Sequence, residues 1–215
     1  MHKKLTIIIF CLLLLTGCKK INNDSNYIEK VANCLKKTNI TNNVALGYKY
    51  YVPKGVKELK SYDYNQIFLI DNDYLYLYVD IISYYHQKEL QVISNENAYY
   101  FETFQLDNKL GHILILDSAE EQYYLSIVYN YSKIEGYVSK DKINKVITLS
   151  SIILNSIDYN HTVIEKILEG DLGQFSEFTY EVDKPEGASS NFSQYLEEYV
   201  HKEDEEDEIE QLPGE

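Results

Sequence analysis

The histidines are the residues with the widest chemical repertoire here, and they are scattered singly along the chain. Besides His2 near the start of the sequence, they stand at His86, His112, His161 and His201, with no cluster of ligand residues around them. Zinc sites are usually marked by His, Cys or carboxylates at short spacing. The sequence therefore predicts no metal centre, and it predicts no bound cofactor.

Carboxylates and serines give no clearer sign of catalysis. Asp71-Asn72-Asp73 begins like a calcium loop, but the glycine at loop position six and the acid at position twelve are missing, so we expect a plain turn. Glu120-Glu121 stands in a polar turn and is expected to be solvated. Ser83 and Ser126 carry no nucleophile motif, and no phosphate-binding glycine pattern occurs. We predict a protein that is not an enzyme, although catalytic triads also assemble from distant positions.

Cys18 carries the clearest chemical prediction. A basic start with Lys3 and Lys4 precedes an apolar run, Leu5 to Leu15, which is typical of a signal peptide and too short to span a bilayer. The residues that follow, Leu15-Thr16-Gly17-Cys18, resemble the lipobox of bacterial lipoproteins. That resemblance implies a lipid on the thiol and cleavage before Cys18. The alternative is an ordinary secretory signal in which Cys18 is incidental.

The lipobox prediction sets the location of the protein. Residues 1–17 would be the signal peptide, and 18–24 the lipidated cysteine with a short tether. Six extended tether residues span at most about 20 Å, so the domain should lie close to the membrane. Two or more acyl chains together hold a protein stably on a bilayer. We expect the mature protein on the outer face of the cell membrane, anchored through Cys18.

Charge and cysteine content narrow the possible partners. The net charge is −14 for 215 residues and becomes −16 for the 198 residues that remain after cleavage. So acidic a chain disfavours nucleic acid and anionic lipid head groups. Cys34 is the one cysteine left besides Cys18, so an intramolecular disulfide is not expected. We predict that Cys34 is a small buried apolar residue.

The hydrophobic periodicity predicts an α+β domain over residues 25–170. Helical spacing predicts one helix over 26–37 and two more over 141–157 and 161–169. Between them, alternation predicts strands at 44–52, 66–70, 74–85 and 122–131, and a hairpin of 99–106 with 110–117 across Asp107-Asn108-Lys109. The expected fold is an antiparallel sheet of about five to seven strands flanked by an N-terminal and a C-terminal helix.

One strand offers a candidate binding face. Tyr74, Tyr76 and Tyr78 alternate with Leu75, Leu77 and Val79, so the tyrosines share the face opposite the aliphatic residues. Tyrosine is rigid and amphipathic, which suits sugars, peptides or a protein partner. The alternative is that these rings are covered by a helix or loop.

Residues 171–215 are predicted to be an acidic, largely disordered tail. Between 197 and 215 there are ten acids against one lysine. Just before this run, five apolar residues recur at helical spacing and form a candidate partner helix: Phe192, Tyr195, Leu196, Tyr199 and Val200. Membrane insertion is disfavoured by the acids. Docking on the protein's own domain and binding to another protein both stay open.

Two short stretches resemble the PsbP-like fold. They are Tyr51-Val52-Pro53-Lys54-Gly55-Val56 and Ser151-Ile152-Ile153-Leu154-Asn155-Ser156-Ile157. The body from Val44 to Ile157 also resembles an uncharacterised lipoprotein family of low-GC Gram-positive bacteria, which implies no activity. PsbP-like domains are typically accessory subunits of membrane-bound complexes, so that resemblance implies a helper role.

The predicted function is a non-enzymatic accessory or protein-binding module with a membrane-proximal protein partner. There are two alternatives to this prediction. The first is a small-ligand or solute-binding lipoprotein, and the second, less favoured, is a hydrolytic enzyme. A deep pocket with convergent polar groups would favour either alternative, whereas an exposed aromatic face would favour the accessory module.

Overall fold

A computed structural model describes residues 27–62, 64–92, 94–118 and 121–170. In chain order its elements are α1 (Tyr27–Leu35), β1 (Asn43–Ala45), β2 (Tyr48–Tyr50), β3 (Val56–Tyr62), β4 (Asn65–Ile70), β5 (Asp73–Val79), α2 (Ile81–Tyr85), β6 (Tyr100–Leu106), β7 (Lys109–Asp117), β8 (Gln122–Tyr129), β9 (Ser132–Ser139), α3 (Ile143–Asn155), β10 (Asp158–Tyr159) and α4 (His161–Leu168). The 3₁₀ turn Lys140–Lys142 leads into α3.

Seven of the strands form one antiparallel sheet in the order β3-β4-β5-β9-β8-β7-β6. Strands β6 to β9 are a meander, and β5 joins it by pairing with β9, where Leu77 lies opposite Ile134. The β6–β7 turn has positive φ at both Asp107 (49°) and Asn108 (64°). Asn and Asp tolerate this conformation, which two-residue hairpin turns require. The predicted hairpin is confirmed.

One face of this sheet, here called the core face, packs against two helices. Leu77, Ile113 and Ile127 belong to the same buried cluster as Val31 of α1 and Val146 of α3. The alternate residues of the same strands form the opposite, outer face. The α+β prediction of an antiparallel sheet with an N-terminal and a C-terminal helix is thereby confirmed.

The predicted strand over 44–52 is wrong in detail, because the chain reverses at Gly47. Gly47 has φ +83°, a backbone conformation that favours glycine, and a Cβ there would lie 2.9 Å from Ile164 Cγ1. The reversal divides the segment into β1 and β2. Strand β2 then pairs with β10 in a separate three-stranded sheet. This small sheet contacts both the larger sheet and the start of α4. Tyr48 donates its hydroxyl proton to Gln66 Oε1 at 2.6 Å, and Asn160, the N-cap of α4, donates its backbone N–H to Gly47 O at 2.7 Å.

The predicted strand over 74–85 is also too long. Strand β5 ends at Val79, and Asp80 caps α2 by accepting a hydrogen bond from Ser83 N at 2.7 Å. An N-terminal cap of this kind competes with strand continuation. Ile81 therefore lies on a helix and not on the strand face of Leu75.

Two strands of the large sheet, and the two-residue strand β10, were not predicted. Strand β3 is an edge strand in which Lys57, Glu58 and Lys60 interrupt the apolar residues, and it carries a bulge between Glu58 and Lys60. Strand β9 carries Lys133 and Glu135, whose charges conceal its alternation. Both sequences depart from the apolar strand pattern because of where they lie: one at an edge, and one with charges on its outer face.

Some predicted features lie outside the described residues. These are the lipobox Leu15-Thr16-Gly17-Cys18, the tether, His201 and the five apolar residues from Phe192 to Val200. Within the described ranges, each helix is too short or too polar to cross a membrane.

Candidate binding face

The outer face of the large sheet brings together polar side chains from neighbouring strands. In one row across the sheet, Tyr78 lies opposite Lys133, Lys133 opposite Val128, and Val128 opposite His112. In the next row, Tyr76 lies opposite Glu135, and Glu135 opposite Ser126. Cross-strand neighbours share a face, so antiparallel pairing alone assembles this group from four strands.

A buried ion pair lies at its centre. Lys133 Nζ is 3.0 Å from Glu135 Oε2, and the two side chains are only 2% and 1% exposed. Tyr124 donates its hydroxyl proton to the same Oε2 at 2.5 Å, and Lys133 Nζ lies 4.7 Å from the ring centroid of Tyr78. Burial, with the Glu135 charge, raises the pKa of Tyr124 far above its usual range. Tyr124 is therefore a fixed hydrogen-bond donor.

His112 is a neutral base beside this pair. Its Nδ1 is buried with no hydrogen-bond partner among the described residues. Burial, assisted by the Lys133 charge, lowers the pKa of His112 to about 4. The ring contacts Phe101 at a centroid distance of 5.8 Å. At neutral pH His112 is uncharged, so it adds no charge to the buried charges of Lys133 and Glu135 on this face.

The three predicted tyrosines lie on this face, but they differ in exposure. Tyr74 is 55% exposed, Tyr76 is half-buried and Tyr78 is buried beneath Lys133. Tyr78 thus follows the alternative in which the ring is covered, whereas Tyr74 is available to a partner. Alternation alone does not separate these outcomes, because it specifies the face but not what lies above it.

The accessible part of the face is a strip next to the edge strand. We call Ile67, Leu69, Tyr74 and Tyr76 the tyrosine strip. Ile67 pairs with Tyr76 and Leu69 with Tyr74, and the two aliphatic residues are half-buried. On the edge strand, the exposed residues Lys60 and Lys57 lie opposite Ile67 and Leu69. The strip is an apolar and aromatic surface with a basic border.

The part of the outer face on β7 and β8, away from the tyrosine strip, is apolar. Leu114, Leu116 and Tyr124 form a buried cluster separate from the main core, and Ala98, which precedes β6, packs against it. This cluster continues the face away from the tyrosine strip.

Separate from the outer face, a concave site lies near α2 and β10. It is a cavity of about 210 Å³ lined by Tyr84, Lys109, Tyr129, Asn130, Ser132, Leu154, Ile157, Asp158 and Tyr159. The rings of Tyr84 and Tyr159 stack with centroids 4.0 Å apart. Burial raises the pKa of nearby Asp80, opposed by hydrogen bonds from Ser83. Ligand pockets usually measure about 300–1,000 Å³, so this one suits only a very small molecule.

The other candidates for chemistry are not brought together. No group of three or more His, Cys, Asp or Glu able to hold a metal occurs in the described ranges. Ser83 and Ser126 are buried. His161 packs against Tyr85 with ring centroids 5.2 Å apart. Cys34 is buried as predicted, and burial raises the pKa of its thiol.

The ion pair and Tyr124 were missed in the sequence. The available signal was the alternation from Lys133 to Val138, in which Lys133, Glu135 and Tyr137 interleave with Ile134, Gly136 and Val138. Opposite charges at i and i+2 of a strand share a face and lie within contact distance.

Comparisons with known proteins give a weak likeness. No protein-family model matches the chain. No curated protein matches it either. Similar solved structures include cyanobacterial PsbP (CyanoP) from Synechocystis sp. PCC 6803, at 14% identity and a TM-score of 0.33, covering 53% of this chain and 87% of that chain. A 1.50 Å crystal structure from Bacteroides thetaiotaomicron VPI-5482 has 11% identity and a TM-score of 0.25, covering 53% and 45%. There is thus a weak structural similarity to a PsbP domain, and it carries no argument about activity.

Proposed function

We propose that this protein is an extracytoplasmic lipoprotein that binds a membrane-proximal protein partner without catalysis, and that the tyrosine strip is its contact surface. The observation that supports this most is Tyr74, which is 55% exposed beside the half-buried aliphatic residues of the neighbouring strand β4. An exposed aromatic residue in such a setting is typical of interface hot spots.

The basic border adds selectivity to this surface. Lys57 and Lys60 flank the strip on the edge strand, so a partner with an acidic rim would be favoured and a basic one disfavoured. Edge-strand lysines and a bulge also discourage edge-to-edge pairing of sheets. The strip is therefore suited to side-chain contacts across the face rather than to strand addition.

Anchoring through Cys18 would keep this surface near the membrane. Cys18→Ser should abolish incorporation of a radiolabelled fatty acid and leave the precursor uncut after Gly17. Continued labelling of this variant would contradict the lipoprotein part of the proposal.

The partner contact is tested in the native membrane with a photo-cross-linker. Replacing Tyr74 by p-benzoylphenylalanine should give an adduct with a membrane-proximal protein, and Tyr74→Ala should reduce recovery of that protein about tenfold or more. Val44 is the control position, because it is 75% exposed and lies on β1 of the separate three-stranded sheet. An equal adduct from both positions, or none from Tyr74, would contradict the proposal.

A small-ligand function is the second candidate, and the tyrosine-lined cavity is what favours it. Calorimetric titration with small sugars, amino acids and amines would detect such binding. Tyr159→Ala should abolish any such binding, because the stack with Tyr84 would be lost. Binding that survives this change would place the ligand elsewhere. The hydrolytic alternative has no such observation behind it.

A further inference from the structure

The centre of the outer face buries charge more completely than an open sheet face would. Lys133 is 2% exposed and Glu135 1%, and Val128 and Ser126 beside them are also buried. On an open face a lysine extends its stem along apolar neighbours and keeps its ammonium group in water. The Lys133 ammonium lies instead over the Tyr78 ring, which indicates that something lies above it.

The described helices do not supply that cover. Helices α1 and α3 belong to the core-face cluster, on the other side of the sheet. On the outer face, the apolar residue from outside the strands that packs on the Leu114 cluster is Ala98, within the described ranges. Residues 63, 93, 119 and 120 are single or paired positions between described neighbours. The one long stretch of chain after the domain is 171–215, which has 45 residues.

We propose that residues 188–202, here called the cover segment, dock on the outer face of the sheet over Lys133, Glu135 and Ser126. The segment supplies Phe192, Tyr195, Leu196, Tyr199 and Val200 on one helical face. These residues match a surface that is aromatic and aliphatic around a central ion pair. A helix this short orders only when its apolar face is buried.

The length of the intervening chain allows this placement. Gly170 follows α4, and 21 residues separate it from Phe192. Fully extended they span about 70 Å, whereas the seven-stranded sheet is only about 29 Å wide at about 4.8 Å per strand spacing. The cover segment can therefore reach any part of the outer face.

Charge favours the protein's own segment over a second copy of the chain. Glu197 and Glu198 lie on the polar side of the segment, and the acidic run follows them. Two copies that each carry a net charge of −14 would repel one another.

The cover and the partner contact are separable. The cover lies over β9, β8 and β7, whereas the tyrosine strip lies on β4 and β5. Tyr74→Ala should leave the cover unchanged. A partner that also needed the centre of the face would first have to displace the cover segment.

Photo-cross-linking in the full-length lipoprotein tests the placement. Tyr137 is half-buried on the outer face and pairs with Tyr124, so p-benzoylphenylalanine in its place should cross-link within the same chain to residues 188–202. The same group in place of Val44 should not. An adduct to a second copy, to another protein or to residues 86–98 alone, or no adduct at all, would overturn the proposal.

Thiol labelling gives an independent measurement in the same protein. Ser126→Cys places a thiol under the proposed cover, while the native Cys34 reports the core. Phe192→Asp, Tyr195→Asp and Tyr199→Asp together should raise labelling at position 126 at least about tenfold with Cys34 still protected, because only local opening is needed. Ser193→Asp with Gln194→Asp is the matched control and should change neither rate.

Two results of that labelling would overturn the proposal. One is fast labelling at position 126 when the segment is unaltered, and the other is unchanged protection in the triple variant. If both thiols become reactive together, the substitutions have unfolded the domain, and the cross-link from position 137 decides the matter alone.

Discussion

The two faces of the large sheet both bury side chains, but the buried groups differ in chemistry. The core face joins aliphatic residues such as Leu77, Ile113 and Ile127 to the helices, and every removed methylene there costs about 1 kcal/mol. The outer face buries a lysine, a glutamate and a histidine. Apolar burial tolerates imperfect neighbours, whereas each buried polar atom needs its own partner. The outer face is thus the more demanding of the two to assemble.

This difference sets how each face should respond to substitution. On the core face, the loss should scale with the volume removed. On the outer face, the loss should depend on whether a charge is left alone. A buried ion pair can be nearly neutral when both members are replaced, yet removing one member leaves an uncompensated charge.

The largest expected effect is therefore at the ion pair. Lys133→Met should lower the free energy of unfolding by about 3–5 kcal/mol, because Glu135 would stay buried without its cation. Lys133→Met combined with Glu135→Leu should recover most of that loss. Urea denaturation monitored by far-UV circular dichroism would measure both. Equal losses in the single and double variants would mean that packing, and not charge, holds this part of the face.

The next largest effect concerns pH. Burial lowers the pKa of His112 from 6.5 to about 4. Between these two pH values His112 is therefore protonated in the unfolded chain but neutral in the folded protein. Stability should fall from pH 6.5 down to about 4, by about 3 kcal/mol for this group. His112→Gln should flatten that part of the pH profile. A slope that His112→Gln leaves unchanged would contradict the assignment.

The sequence predicted the elements whose pattern is set by one dominant face. The 3.6-residue period located α1, α3 and α4, and turn residues Asp107 and Asn108 located the β6–β7 hairpin. These signals are local, since they depend on alternation, caps and turns. Fold class followed from their order along the chain.

The candidate site was predicted only in part, because burial on the outer face depends on what lies above it. Alternation placed Tyr74, Tyr76 and Tyr78 together but could not show that Tyr78 lies under Lys133. Glu135, the partner of Lys133, lies with it on β9. The charges of these two residues hide the alternation by which β9 could be predicted as a strand. The β5–α2 boundary was missed for another reason: apolar residues continue past Val79, and only the Asp80 cap marks the change.

The smallest expected effect is at an ion pair that differs from Lys133–Glu135 in exposure. Lys145 Nζ lies 2.7 Å from Asp71 Oδ1, with side chains 48% and 43% exposed, and the hydrogen bond from Lys145 lowers the pKa of Asp71. Asp71 has φ 55°, which asparagine tolerates, so Asp71→Asn removes the charge and little else. Water and salt screen such pairs, and median contributions are close to zero. We expect Asp71→Asn to shift the urea midpoint by less than the scatter of the measurement in about 1 M NaCl, and only slightly at low ionic strength. If its loss approached that of Lys133→Met, exposure would not be what separates the two pairs, and the contrast between a buried and an accessible surface would need another cause.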